Sequence, residues 1–163
     1  MTTQTNEQAG KSTMTLQGDR EIRVERIFNA PRDKVWRAYT ERELVAQWWG
    51  RGNPLDVEKF DLKPGGSWRF VEKFDGKSMG FEGRFIEVTP QERLVQTFGW
   101  DGMTEGEMMD TAEFHDLGDG RTKLVNVSLF HTTEERDGML HSGMETGLNE
   151  SYAALDDLLA RME

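Results

Sequence analysis

The sequence has no cysteine. That excludes disulfides, thiolate zinc sites and a cysteine nucleophile. It has no apolar run approaching the ~18 residues that would cross a bilayer, and its mean hydropathy is −0.71. Clustered cations are missing too: 20 Lys and Arg stand against 30 Asp and Glu, a net charge of −10. Nucleic acids and anionic membrane surfaces are bound through grouped Lys and Arg. Neither is an expected partner, and the ordinary use of such acidity is solubility. The three histidines, His115, His131 and His141, show no ligand spacing of the HExxH kind. "DLGDG" (116–120) reads as a hairpin turn and lacks the remaining positions of a calcium loop. No glycine-rich phosphate loop occurs, and Ser151 has no evident base partner for nucleophilic catalysis. No metal site and no cofactor is expected. The N-terminal stretch "MTTQTNEQAGKSTMTLQG" has no apolar signal-peptide core, so a cytoplasmic location is the expectation.

What the sequence does hold is rings: nine Phe, five Trp and two Tyr in 163 residues. Its apolar mass is concentrated in large side chains. Residues 1–18 are Thr- and Gln-rich without periodicity and predict a disordered tail before a single domain over 19–163. "REIRVERIF" (20–28) alternates Ile22, Val24 and Phe28 with charge, the pattern of a half-buried strand. Pro31 opens a helix carrying Val35, Trp36 and Tyr39, and "ERELVAQWW" forms a second short helix ending at Gly50. Strands then recur near 55–62, 67–74, 79–88, 93–100, 107–117 and 121–131, separated by turn signals such as Asp75-Gly76 and Asp119-Gly120. The chain ends in a predicted helix over about 134–162, with Leu140, Met144, Leu148, Ser151, Tyr152, Leu155, Leu158, Leu159 and Met162 in one arc. A meander with one apolar face needs a cover, and this helix is the only element long enough. The fold class is α+β: a curved antiparallel sheet of about seven strands around a C-terminal helix.

The segments "IFNAPRDKVWRAYTERELVAQWWG", "FDLKPGGSWRF", "FEGRFIEVTPQERLVQTFGW" and "SGMETGLNESYAALDDLLARM", in this order, resemble the activator of Hsp90 ATPase homologue 1-like (AHSA1-like) family of the START/Bet v 1-like (SRPBCC) superfamily. The resemblance spans roughly residues 20–162 and implies the helix-grip fold. It also implies a hydrophobic cavity between sheet and long helix, where relatives bind lipids, polyketides or other apolar molecules. Some relatives are cyclases or aromatases, and the namesake is a co-chaperone.

Period-2 spacing puts Trp68, Phe70, Glu72 and Phe74 on one strand face, Phe81 and Phe85 on another around Gly83, and Phe98 with Trp100 on a third. Such rings either fill a core or line a pocket. The expected ligand-binding set is Trp49, Trp68, Phe70, Phe81, Phe85, Phe98, Trp100, Met144, Leu148 and Tyr152. Of the adjacent Trp48 and Trp49, one anchors the core and the other stands at the mouth. Gly143, Gly147, Ser151 and Ala154 share one flank of the helix; they either admit the sheet closely or leave room for a guest. Glu72, His131 and His141 are the candidates for acid–base chemistry. A carboxyl at Glu72 buried among rings would titrate high; otherwise it reaches solvent or pairs with Arg69 or Lys73. Binding of an apolar small molecule, by a monomer or homodimer, is the leading expectation. A cyclase or aromatase using the same cavity is the first alternative. A co-chaperone-like interaction module is the second, since residues 133–163 hold eight acids against two bases.

Overall fold

The computed structural model describes residues 12–103 and 107–162. Eight strands form one antiparallel sheet: β1 (Ser12–Gln17), β2 (Glu21–Phe28), β3 (Leu55–Phe60), β4 (Ser67–Phe74), β5 (Lys77–Thr89), β6 (Arg93–Trp100), β7 (Met108–Asp116) and β8 (Thr122–Leu129). Their spatial order is β1-β2-β8-β7-β6-β5-β4-β3. Helices α1 (Arg32–Thr40) and α2 (Arg42–Val45) follow β2, and α3 (Thr133–Leu140) and α4 (Met144–Arg161) close the chain. This is the α+β helix-grip arrangement.

Alternation sets each strand's inner face. In β2 the inward positions are Ile22, Val24, Arg26 and Phe28, all buried. The charge at Arg26 is admissible because Asp156 of α4 takes its Nη2 at 2.6 Å, with its guanidinium 5.4 Å from the Phe28 and Tyr152 ring centroids. Asp75 and Gly76, with φ of 52° and 71°, make the β4–β5 turn, the left-handed pair that suits a two-residue hairpin. In α4, Ser151, Tyr152, Leu155, Leu158 and Leu159 are buried. Helix α1 locks in through Trp36 and Tyr39, whose rings meet Phe114 of β7 edge-on at 5.4 and 5.1 Å.

Two expectations need correction. The tail was expected to be disordered through residue 18, and residues 1–11 lie outside the described residues, but Ser12–Gln17 form β1, paired residue for residue with β2. The free edge of β2 supplies the backbone partners, Met14 packs on the core, and Ser12 Oγ accepts from Arg26 Nη1 at 3.2 Å. A strand with one inward apolar side chain has almost no periodic signal. The second correction is that the C-terminal helix is two helices. Gly143 sits between them with φ 88°, and Ser142 Oγ closes α3 by donating to the Met139 carbonyl at 2.7 Å. A left-handed residue ends a helix, and glycine adopts it without a Cβ penalty.

Candidate functional site

Between the inner sheet face and α4 lies a recess of about 580 Å³, within the roughly 300–1,000 Å³ of small-molecule sites. One wall is aromatic. Trp68 and Phe70 come from β4, Phe81 and Phe85 from β5, and Phe98 and Trp100 from β6. Trp49, just after α2, leans into this wall, its centroid 5.0 Å from Phe70, 5.1 Å from Phe81 and 6.1 Å from both Trp68 and Phe98. Trp48 is the core anchor: it is buried, and its indole N–H donates to the Ala38 carbonyl at 2.8 Å. Met144, Leu148 and Tyr152 form the roof from α4. Trp49, Trp68, Phe70, Phe81, Phe85, Phe98, Trp100, Met144, Leu148 and Tyr152 all border this recess.

The helix flank of small residues does not press on the sheet. A Cβ built on Gly147 meets only Arg51 Cδ, at 3.5 Å, and one on Gly143 meets nothing within 4 Å. Gly147 borders the recess. Ser151 ties α4 to the segment after α2, donating to the Trp49 carbonyl at 2.9 Å and accepting from the Arg51 backbone N–H at 3.2 Å.

Glu72 points inward, 4% exposed, at the same border. It pairs with neither Arg69 nor Lys73, because adjacent residues of a strand face opposite ways. Arg69 bonds Glu82 and Asp101 on the outer face, and Lys73 bonds Asp56. Oε2 of Glu72 instead accepts from Arg51 Nε and Asn53 Nδ2, both at 2.8 Å. Arg51 lies 4.9 Å from the Phe74 centroid and 3.8 Å from Glu150 of α4. It adopts φ 59°, a left-handed geometry uncommon for a side-chain-bearing residue. Arg51 thus joins the segment after α2, the β4 strand and α4 at one side of the recess. His131 and His141 are not brought here: both are exposed, His131 Nε2 lies 2.7 Å from the Glu107 carbonyl, and His141 follows α3 as its C-terminal cap. Glu72 is the only one of the three acid–base candidates at the recess.

The other wall is polar and was not singled out from the sequence. Phe85, Gln96, Asp110 and Ser128 are successive partners across β5, β6, β7 and β8, and all four border the recess with Asn126. The alternation that turns Phe98 inward also turns Gln96 inward, and Asp110 falls between inward Met108 and Ala112. That was the available signal. Ser128 Oγ donates to Asp110 Oδ1 at 2.6 Å. Burial pushes the Asp110 carboxyl up to about 6, against the opposing effect of the Ser128 hydrogen bond. The hydroxyls of Tyr39 and Tyr152 lie near it, and burial raises the pKa of both. Among the described residues no group of His, Cys, Asp and Glu is arranged to hold a metal, and no helix is long and apolar enough to cross a membrane.

Known proteins place this architecture. A crystal structure of a protein from Rhodobacter sphaeroides superposes with a TM-score of 0.84 at 30% identity, over 94% of this chain and 100% of the other. A Staphylococcus epidermidis protein solved by NMR gives 0.79 at 25% identity, over 93% and 96% of the two chains. One from Arthrobacter aurescens gives 0.83 at 20% identity, over 92% of each, a likeness of fold. No curated protein matches the chain. The profile described as "Activator of Hsp90 ATPase homolog 1-like protein" matches residues 29–160. The chain belongs to the activator of Hsp90 ATPase homologue 1-like family.

Proposed function

We propose that the protein binds a ring-bearing apolar small molecule in the recess between the sheet and α4. The observation that carries this is the aromatic wall, seven Trp and Phe side chains from β4, β5, β6 and the segment after α2, which still encloses open volume. A core that existed only for stability would close such a volume, because unfilled space forfeits dispersion contacts. Glycine at 147 fits the same reading, since a larger side chain there would project toward Arg51 and the recess. The fold family supports the reading through its general association with hydrophobic ligand cavities.

Trp49, Trp68 and Trp100 are built-in reporters. A panel of flavonoids, polyketide-like aromatics and fatty acids, titrated while tryptophan emission is followed, is expected to give saturable changes with ring-bearing members. Gly147→Leu is expected to keep the protein folded, because leucine is the better helix former, and to weaken that binding at least tenfold. Unchanged emission across the whole panel would defeat the proposal.

A further inference from the structure

The recess is electrically unbalanced. Among the described residues its charged lining consists of Arg51, Glu72 and Asp110. Arg51 and Glu72 neutralise each other at 2.8 Å. Asp110 makes no ion pair with a described residue; its Oδ1 takes the Ser128 hydroxyl, and its Oδ2 accepts no hydrogen bond from a described residue. A carboxylate in a low-dielectric site without a cation is costly, so a ligand that supplied the cation would gain the interaction the protein omits.

From this geometry we infer that the ligand is an arylalkylamine held with its ammonium group on Asp110 and its rings against the aromatic wall. The inference rests on the apolar-ligand reading and adds the ligand's charge and orientation to it. The cross-strand row sets the orientation. Phe85 ends the aromatic wall, and Gln96, Asp110 and Ser128 continue it strand by strand. An ammonium carries donors only, and this row offers the Asp110 carboxylate with the Gln96 amide carbonyl beside it. Rings also attract cations through their faces, and the net charge of −10 favours a cationic guest during approach.

The groups facing Asp110 are few. Tyr39 comes from α1, Tyr152 from α4, Gln96 from β6, and Ser128 and Asn126 from β8. Arg26 of β2 lies beyond the Tyr152 ring and is committed to Asp156. Arg51 and Glu72 are paired with each other. Proton uptake by Asp110 is therefore the event that removes the anchor as pH falls through about 6.

The test compares 1-naphthylmethylamine with its neutral isostere 1-naphthylmethanol by isothermal titration calorimetry on the full chain. At pH 7.5 the amine is expected to bind at least tenfold more tightly. Its affinity is expected to fall about tenfold by pH 5, following the ionised fraction of the carboxyl, while that of the alcohol stays level. Asp110→Asn is expected to abolish the preference, so that amine and alcohol bind the variant equally. Equal affinities, a tighter alcohol, or a preference that survives in Asp110→Asn would overturn the inference and leave the apolar-ligand reading standing. If that variant does not fold, the pH profile of the unaltered protein decides: an amine preference undiminished at pH 5 overturns it. Binding of neither compound overturns it too, and the fluorescence panel then judges the apolar-ligand reading separately.

Discussion

Two carboxylates border the recess, and their environments oppose each other. Glu72 is buried but paired, with Arg51 and Asn53 on one oxygen. Replacing Arg51 with Ala strips the carboxylate of its cation and the α4 tie of one member. A loss of about 1.5–3 kcal/mol is expected, the range for hydrogen bonds to charged groups, measurable by urea unfolding. Asp110 is half-buried at the recess, with no cation among the described residues. Its carboxyl titrates near 6 in the folded protein, above the roughly 3.9 of a free side chain, so its ionisation opposes folding. The associated stability is present below pH 4 and is lost as pH rises through 6. Asp110→Asn removes that dependence. The variant is expected to gain stability relative to the parent at pH 7.5, up to about 3 kcal/mol for a two-unit difference, and to show no gain at pH 4. Thermal unfolding at the two pH values checks this, and a variant less stable at pH 7.5 than at pH 4, relative to parent, contradicts it. The rings of the site were legible from alternation alone, because Trp and Phe announce themselves. Asp110 obeys the same alternation, yet a lone acid in a strand reads as solvent-facing until the register shows its neighbours. Arg51 had no periodic signal, since it follows a helix in a left-handed turn.

The strands show why local pattern goes far in this protein. Seven strand segments, from "REIRVERIF" through "RLVQTFGW" and onward, declare themselves by period 2 and by turn residues, and the structure adds little to their bounds. The C-terminal helix shows where pattern fails. Leu140, Met144 and Leu148 stay in phase across the break at 141–143, so a helical wheel runs through it unaware. Only the φ of 88° at Gly143 reveals the boundary. The first strand fails for another reason: hydrogen bonding to β2 holds it, and hydrogen bonding leaves no hydrophobic trace. At this scale Gly83 is the sharpest prediction. A Cβ there would overlap the Thr97 carbonyl of β6 and press on the Trp68 indole nitrogen. Backbone cannot yield cheaply, so Gly83→Ala is expected to cost about 2 kcal/mol or more, in the range of core overpacking. An unchanged midpoint in urea would mean that β5 and β6 are not that close.

For the whole molecule, a sheet whose recess lining is aromatic on one side and polar on the other closes around α4 without filling the space between them. Glycine at 147, the Arg51–Glu72 pair and the Ser151 hydrogen bonds hold α4 beside that space without pressing it onto the sheet. The central claim is that this space receives a ring-bearing ligand. The five tryptophans test it directly, because Trp48, Trp49, Trp68 and Trp100 border the recess, Trp48 with its indole N–H held by the Ala38 carbonyl, while Trp36 packs on Phe114 and does not line it. The deciding measurement is the indole N–H region of a two-dimensional nitrogen–proton NMR spectrum during titration with the ring-bearing members of the fluorescence panel. The account predicts saturable shifts at Trp49, Trp68 and Trp100 with Trp36 unmoved. An unchanged spectrum, or shifts confined to Trp36, would contradict it.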